Sequence, residues 1–253
     1  MQLSGNTILI TGGATGIGLA LAESFAANGN DVIICGRREG ALQGAKARFP
    51  GLHTRVADLS TADGRQLLAD WVMVAHPNLN MLVNNAGIQR EFRVDQPGMA
   101  GKLARENEIE TNLTAPIHLT FLLLPHLLKQ PSAAVVNVTS GLGYVPKAVM
   151  PVYCATKAAL QSFTLSLRHQ LKDSPVKVFD IAPPIVDTDL DQGARQKRGQ
   201  TTAGIKPEQV ARETIQAIAR DRFDVPVGMV KALKIGSRVT PKGFFAVINK
   251  PEK

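Results

Sequence analysis

Short strand-like runs alternate along this chain with longer segments of helical spacing. The strand-like runs are 7–10, 31–35, 52–57, 81–84, 133–138 and 176–181, and the helical segments are 17–28, 40–49, a stretch from about 61, 102–128, 152–171 and 207–220. Strands that are apolar at nearly every position are expected where both faces of a sheet are covered. The alternation therefore predicts the α/β class, with one doubly wound parallel sheet flanked by helices on both faces.

The first of these strands leads into a glycine-rich turn that opens a helix. The turn reads Thr-Gly-Gly-Ala-Thr-Gly-Ile-Gly over residues 11–18. Glycine allows positive φ and close backbone approach, and a helix N-terminus offers free N–H groups to a pyrophosphate. A turn without a ligand is the alternative, but the strand–turn–helix setting favours a Rossmann-like dinucleotide site. The predicted contacts in this turn are Gly12, Thr15, Gly16, Ile17 and Gly18.

The end of the second strand bears on which dinucleotide is bound. It reads Cys-Gly-Arg-Arg over residues 35–38, without the acidic residue that NAD-preferring sites place beside the ribose 2′-hydroxyl. A guanidinium can bind a 2′-phosphate bidentately, whereas a carboxylate would repel it. We therefore expect NADP(H) rather than NAD, with Arg37 as the main contact and Arg38 assisting; an exposed basic turn is the alternative.

A tyrosine and a lysine four residues apart are the strongest sign of catalysis. Tyr153 and Lys157 share one face of a predicted helix. A lysine ammonium beside a phenol favours the phenolate and lowers a pKa that is normally about 10. A tyrosine tuned in this way can pass a proton to or from a carbonyl or an alcohol. A solvated surface pair has the same spacing, so the interpretation depends on the other motifs.

Together these motifs resemble the short-chain dehydrogenase/reductase family over about residues 5–220. The further matching features are Asp58-Leu59, Asn84-Asn85-Ala86-Gly87 at a strand end, Asn112 in a helix, and Ser140 with twelve residues between it and Tyr153. The resemblance implies the α/β fold with a single Rossmann-like sheet. It also implies one NAD(P)-binding domain over residues 1–253.

The resemblance implies a catalytic tetrad of Asn112, Ser140, Tyr153 and Lys157. Tyr153 would be the general acid in carbonyl reduction and the base in the reverse direction, and Ser140 would polarise the substrate oxygen. Lys157 would lower the Tyr153 pKa and bind the nicotinamide ribose, and Asn112 would hold a water in a proton relay. The implied cofactor contacts further along the chain are Asp58, Leu59, Asn85, Ala86, Gly87, Tyr153, Lys157, Pro183, Val186 and Thr188.

Two features depart from the family pattern. Pro183-Pro184 stands where Pro-Gly is common, and proline removes an N–H and fixes φ, so a different loop geometry is expected there. Residues 188–205 then predict a mobile substrate loop. The chain ends in a basic, apolar tail at about 229–253 rather than in the Asp-Gly-Gly segment that builds tetramers in many members. This ending is similar to that of a bacterial subgroup linked by gene neighbourhood to D-alanylation of teichoic acids.

The predicted activity is hydride transfer between NADP(H) and a small-molecule carbonyl or alcohol. We expect a pocket bounded by 88–93, 141–150 and the loop after Pro184, with Leu142, Val145, Val149 and Met150 as an apolar lining and Arg90 and Arg93 facing an anionic group. Two alternatives stay open: a 3-oxoacyl carrier-protein reductase, and a cofactor-binding regulatory protein without turnover. The complete tetrad argues against the second.

Composition limits the other classes of function. The net charge of +8 is spread along the chain and aromatic residues make up 5%, so an anionic cofactor or substrate is favoured over nucleic acid. No apolar run reaches the roughly 18 residues of a membrane span. The tail either lies on a membrane surface or docks as a terminal helix.

The remaining expectations concern metals, compartment and assembly. The five histidines lack ligand spacing with acids or cysteines, so no catalytic metal is predicted. With only two cysteines, Cys35 and Cys154, a reducing cytoplasm is expected. The family resemblance implies a homodimer or homotetramer through the helices around Asn112 and Tyr153.

Overall fold

Seven parallel strands form one sheet at the centre of the structure, a computed structural model that describes residues 1–98, 101, 107–190 and 204–250. The strands are β1 (Thr7–Thr11), β2 (Asp31–Gly36), β3 (His53–Val56), β4 (Leu79–Asn84), β5 (Ala133–Val138), β6 (Val176–Ala182) and β7 (Asp224–Pro226). Their spatial order is β3-β2-β1-β4-β5-β6-β7. The order reverses between β1 and β4, and in such sheets ligands bind in the crevice at the carboxyl ends beside this reversal.

Eight α-helices surround the sheet within the described part of the chain. They are α1 (Gly16–Ala27), α2 (Glu39–Arg48), α3 (Ala62–Ala75), α4 (Ala115–Leu127), α5 (Pro151–Gln170), α6 (Pro207–Ala219), α7 (Val230–Val239) and α8 (Pro241–Ile248). A π-helical turn, Glu110–Thr114, precedes α4, and a 3₁₀ turn, Gly141–Gly143, follows β5. None of the described helices combines the length and hydrophobicity needed to cross a bilayer.

The two faces of the sheet bury separate apolar clusters. Ile8 and Ile10 face a cluster with Phe25 of α1, while Leu9 between them faces a cluster with Leu68 of α3 and Leu119 of α4. Successive strand residues point to opposite faces, so a strand covered on both sides must be apolar throughout. The predicted fold class, a doubly wound α/β sheet with helices on both faces, is confirmed.

The sheet has one strand more than the sequence predicts. The sequence pattern shows its last clear strand at 176–181, and the structure adds β7, which pairs in parallel with β6 through Ile181 and Val225. Its three residues are too few for a periodic pattern, and Pro226 argues against a strand unless the strand lies at an edge, as β7 does.

Three predicted segments fall partly outside the described residues. Residues 102–106 of the predicted helix 102–128 lie outside them, as do residues 191–203 of the predicted mobile loop and residues 251–253 of the predicted tail. The described part of the tail forms α7, which packs next to β7 and the 3₁₀ turn, and α8, which packs on α7, as expected for docked terminal helices.

Candidate active site

The glycine turn packs so closely on the end of β4 that side chains are excluded from it. Gly12 and Gly16 have φ of +63° and +57°, which L side chains rarely adopt. A Cβ atom at Gly12 would lie 2.9 Å from the Ala86 Cα, and one at Gly18 would overlap the Gly12 carbonyl oxygen and the Asn85 side chain. The turn therefore presents backbone, at the point where α1 begins.

Hydrogen bonds lock this turn to the neighbouring strand end. The hydroxyl oxygen of Thr11 accepts bonds from the backbone N–H groups of Asn85 and Ala86, both at 3.0 Å. The side-chain amide of Asn85 donates to the carbonyl oxygens of Thr11 at 3.0 Å and Gly12 at 3.2 Å. Asn85 thus links the ends of β1 and β4, the two strands between which the strand order reverses.

The far end of the crevice carries charges of both signs. Arg37 and Arg38 are exposed after β2, and the Arg38 guanidinium donates to the Thr15 hydroxyl at 3.3 Å. Burial raises the pKa of Asp58, but hydrogen bonds from the N–H and hydroxyl of Ser60 and the charge of Arg37 outweigh it and hold that pKa below its ordinary value. Asp58 therefore remains a carboxylate beside the two guanidinium groups.

Tyr153 and Lys157 are both buried on α5, with 6% and 4% of their surfaces exposed. The Lys157 Nζ lies 5.7 Å from the centroid of the Tyr153 ring and donates to the Val138 carbonyl oxygen at 2.9 Å. Burial lowers the pKa of Lys157 to about 8, with the Asp180 carboxylate acting in the opposite direction. A solvated surface pair is therefore ruled out, since the ammonium sits inside the fold against the end of β5.

Ser140 stands two residues after the end of β5 and is also buried. Its side-chain oxygen accepts a hydrogen bond from the backbone N–H of Leu142 at 3.1 Å, which caps the 3₁₀ turn. Because a hydroxyl has one donor and two acceptor sites, this bond leaves the Ser140 proton available to another oxygen.

Asn112 lies in the π-helical turn, with its side chain held by the end of the β4 loop. Its amide oxygen accepts from the Ile88 N–H at 2.9 Å, and its amide nitrogen donates to the Ile88 carbonyl at 2.8 Å. A Cβ atom at Gly87 would lie 3.4 Å from the Asn112 Oδ1 and 3.7 Å from the Lys157 Nζ. The space that a side chain at Gly87 would fill therefore borders both the Asn112 amide oxygen and the Lys157 ammonium.

The loop after β6 returns to the glycine turn despite its second proline. The Pro183 carbonyl oxygen accepts the Gly141 N–H at 2.9 Å, and Val186 forms a β-bridge with Ile205. A Cβ atom at Gly16 would lie 2.9 Å from the Thr188 Cγ2 atom. Thr188 therefore reaches the start of α1.

One cleft of about 600 Å³ brings most of the predicted residues together. The predicted residues that line it are Gly12, Thr15, Gly16, Ile17, Arg37, Arg38, Asp58, Leu59, Asn85, Ala86, Gly87, Ser140, Tyr153, Lys157, Pro183, Val186 and Thr188. Gly18 and Asn112 are not lining residues: Gly18 packs beneath the turn, and the Asn112 side chain bonds to Ile88 behind Gly87.

The substrate side of the cleft differs from the predicted pocket. Leu142, Met150 and Arg90 line it, but Val145, Val149 and Arg93 do not, and Arg93 is paired with Asp95 at 2.7 Å. The sequence does not predict that Met229, Leu233 and Ile248 line the cleft, which they reach from the C-terminal tail. The basic, apolar composition of the tail signals an amphipathic segment, but no local pattern shows what its apolar side covers.

Two histidines lie close together at the amino ends of the strands. Their spacing in the sequence does not predict this contact. His53 Nε2 lies 2.9 Å from Asp31 Oδ1, and His76 Nδ1 lies 3.4 Å from Asp31 Oδ2. Asp31 and His53 begin β2 and β3, so this group is remote from the cleft at the carboxyl ends.

A parallel sheet with a glycine turn at its order reversal and a buried Tyr–Lys pair in the same cleft defines a nucleotide-dependent α/β oxidoreductase. The family model for short chain dehydrogenase matches residues 6–199. The chain belongs to the short chain dehydrogenase family and is an NAD(P)-dependent oxidoreductase of the class that acts on CH–OH or carbonyl groups.

One curated relative matches the whole length, tail included. It is an uncharacterized oxidoreductase, DltE, of Bacillus subtilis, 46% identical over 252 residues that cover 100% of each chain. The match accords with the subgroup resemblance predicted from the ending of the chain.

Solved structures share the fold at low sequence identity. A short chain dehydrogenase from Burkholderia cenocepacia in complex with NADP has a TM-score of 0.84 at 22% identity, covering 99% of this chain and 100% of that one. A short chain dehydrogenase/reductase from Burkholderia phymatum in complex with NAD has a TM-score of 0.83 at 23% identity, covering 100% and 98%. Both dinucleotides therefore occur among the structural neighbours.

Proposed function

We propose that this enzyme interconverts a carbonyl and an alcohol with NADP(H), and that Tyr153 is the general acid–base. The observation that carries the proposal is the buried Tyr153–Lys157 pair in one cleft with Ser140 and the glycine turn. Burying a charged ammonium is costly. A helix with a purely structural role would therefore not be expected to bury an ammonium beside a phenol.

The cleft suits a dinucleotide. The turn at Gly12 and Gly16 excludes Cβ atoms and exposes backbone at the start of α1, which is what a pyrophosphate requires. Arg37 and Arg38 would hold a 2′-phosphate, and Asp58 and Leu59 would bound the adenine. Lys157 would bind the nicotinamide ribose, and Thr188 the carboxamide. When bound, the dinucleotide supplies the hydride or accepts it.

The protein's own residues would manage the proton. During reduction the Tyr153 phenol donates its proton to the substrate oxygen, and the Lys157 ammonium stabilises the phenolate that remains. The Ser140 hydroxyl, whose lone pair already accepts the Leu142 N–H, donates to the same substrate oxygen and orients it. In the oxidation direction Tyr153 takes the proton back.

Asn112 would support reprotonation of this site. Its side-chain amide is already bonded to Ile88, and its oxygen and the Lys157 ammonium both border the space that a Gly87 side chain would fill. We propose that a water beside Asn112 connects the Lys157 ammonium with solvent. The π-helical turn supports this role, because such turns release backbone groups from the regular hydrogen-bond ladder and occur often at functional sites.

The test is a screen of NADPH oxidation over ketones, aldehydes and acyl thioesters, followed by Tyr153→Phe. The variant should lose turnover while its NADPH affinity, measured by fluorescence titration, stays within about twofold of wild type, a difference of less than about 0.5 kcal/mol. Full turnover in Tyr153→Phe would refute the mechanism. Turnover of an acetoacetyl thioester would favour the 3-oxoacyl carrier-protein reductase alternative, for which the net charge of +8 suits an acidic carrier.

We also propose that the enzyme is cytoplasmic and that it forms a homo-oligomer. Cys35 and Cys154 are both free and buried, which fits a reducing cytoplasm. A homodimer or homotetramer is expected from the family. Exposed apolar side chains on the two helices concerned, Phe121 of α4 and Leu165 of α5, support such an interface.

A further inference from the structure

The inner side of the C-terminal tail forms part of the catalytic cleft. Met229 precedes α7, Leu233 lies within α7 and Ile248 ends α8, and all three line the cleft that contains Tyr153. Leu233 and Ile248 are partly buried, whereas Val239 on α7 is 77% exposed and lines no part of the cleft. The two sides of the tail therefore have different surroundings.

α7 is anchored beside the catalytic serine. Val230 is fully buried, and its Cγ2 atom would lie 2.8 Å from a Cβ atom at Gly141, the residue after Ser140. The Cδ1 atom of Leu233 would lie 3.4 Å from the same point. A salt bridge of 3.2 Å between Lys234 and Asp224 fastens the helix to β7.

α8 folds back on α7 and is tied to the loop that leads to Tyr153. The Phe244 ring lies directly on Gly236, where a Cβ atom would overlap it. At the end of α8, the Asn249 side chain accepts the Ala148 N–H at 2.6 Å and donates to the Pro146 carbonyl at 3.0 Å. The tail thus contacts the segment between Ser140 and Tyr153 at its start and in its middle.

Apolar side chains from the segment between Ser140 and Tyr153 also line the cleft. Leu142 and Met150 line the cleft and pack in one cluster with Tyr153. Together with Leu233 and Ile248 they give the cleft that contains Tyr153 an apolar lining. Such a surface favours a substrate group that has no polar atoms to desolvate.

We propose that α7 and α8 form the substrate-selecting wall of the catalytic pocket, and that the substrate carbonyl bears an apolar group packed against Leu233 and Ile248. The proposal rests on the proposed carbonyl–alcohol chemistry and specifies its substrate class. Each CH₂ group buried on this wall would raise kcat/KM about fourfold, the factor expected from burial of one methylene.

The first experiment measures kcat/KM with NADPH for unbranched methyl ketones from butanone to decanone. In the wild type, kcat/KM should rise with chain length. Leu233→Ser and Ile248→Ser should flatten this dependence, because a hydroxyl replaces apolar surface, and Ile248→Trp should shift the preference to the short ketones. The matched control is Val239→Ser on the exposed side of α7, which should keep the wild-type dependence. Circular dichroism checks that each variant is folded.

A second measurement separates this inference from the proposed chemistry. Binding of the corresponding secondary alcohols to the enzyme–NADPH complex, followed by NADPH fluorescence, needs no turnover. Affinity should rise with chain length in the wild type and lose that dependence in Leu233→Ser and Ile248→Ser. An unchanged dependence in both variants overturns the inference, even if Tyr153→Phe is inactive and the proposed chemistry holds. Loss of the dependence in an enzyme that turns over no carbonyl would support the wall and reject the proposed chemistry.

Discussion

The Lys157 ammonium donates a hydrogen bond of 2.9 Å to the carbonyl oxygen of Val138, the last residue of β5. This bond ties α5, which carries Tyr153, to the strand that leads to Ser140. The ammonium is therefore positioned by the sheet rather than by a surface carboxylate. Burial there lowers the pKa of Lys157 to about 8, so its charge depends on pH in the range where enzymes are assayed.

Lys157→Met should reduce turnover by about a hundredfold or more, since it removes the charge that we propose stabilises the Tyr153 phenolate. The measurement is kcat for NADPH oxidation over about pH 6 to pH 10, with a ketone found in the screen. The matched control is Lys172→Met, a lysine that is 63% exposed just beyond the end of α5. Equal losses in both variants would assign the effect to surface charge rather than to the site.

The low pKa of Lys157 should also appear in the stability of the fold. The pKa of Lys157 is about 8 in the folded state and 10.5 ordinarily. At a pH between these two values, the unfolded chain retains a proton on Lys157 that the folded chain has released. More bound protons in the unfolded state means that stability rises with pH across this window, by about 3 kcal/mol at most. The urea midpoint of the wild type should therefore rise relative to that of Lys157→Met from about pH 8 to about pH 10. A constant difference would mean that Lys157 titrates normally.

Arg37→Ala should weaken the preference for NADPH over NADH. Loss of a charge-assisted bond to a 2′-phosphate costs about 1.5 to 3 kcal/mol, which is about ten- to a hundredfold in kcat/KM for NADPH. The value for NADH should change little. Arg48→Ala serves as control, because Arg48 is an exposed arginine at the end of α2 that pairs with Glu23. An unchanged ratio between the two cofactors would remove the basis for NADP(H) specificity.

Gly18→Ala should impair both folding and cofactor binding. Its methyl group would overlap the Gly12 carbonyl oxygen and the Asn85 amide, and relief of such overpacking costs about 1 to 3 kcal/mol. The urea midpoint and the NADPH dissociation constant should both report the change. Gly44→Ala in α2 is the matched control, since no atom lies within 4 Å of its Cβ position. That variant should be neutral or stabilised by up to about 1 kcal/mol.

The regular elements were predictable because their signals are local. The strand 133–138 is apolar except for Asn137, and the observed β5 has those same bounds. The helix predicted to begin at 152 begins at Pro151, whose fixed φ suits a first helical position. β7 was missed because three residues next to a proline carry too little pattern, and the π-helical turn at Asn112 has no signal in residue spacing.

The sequence by itself determined the fold class and the identities of the Tyr153–Lys157 and glycine-turn motifs, since periodicity and fixed spacing are properties of contiguous residues. Only the tertiary structure decided that Lys157 is buried against Val138 and that Asn85 and Gly18 support the turn. It also decided that Leu233 and Ile248 reach a cleft whose lining residues outside the tail, from Gly12 to Leu190, lie in earlier parts of the chain. Such contacts depend on how distant elements pack. The pattern of an amphipathic segment shows that one side is covered, but it does not show which element covers it.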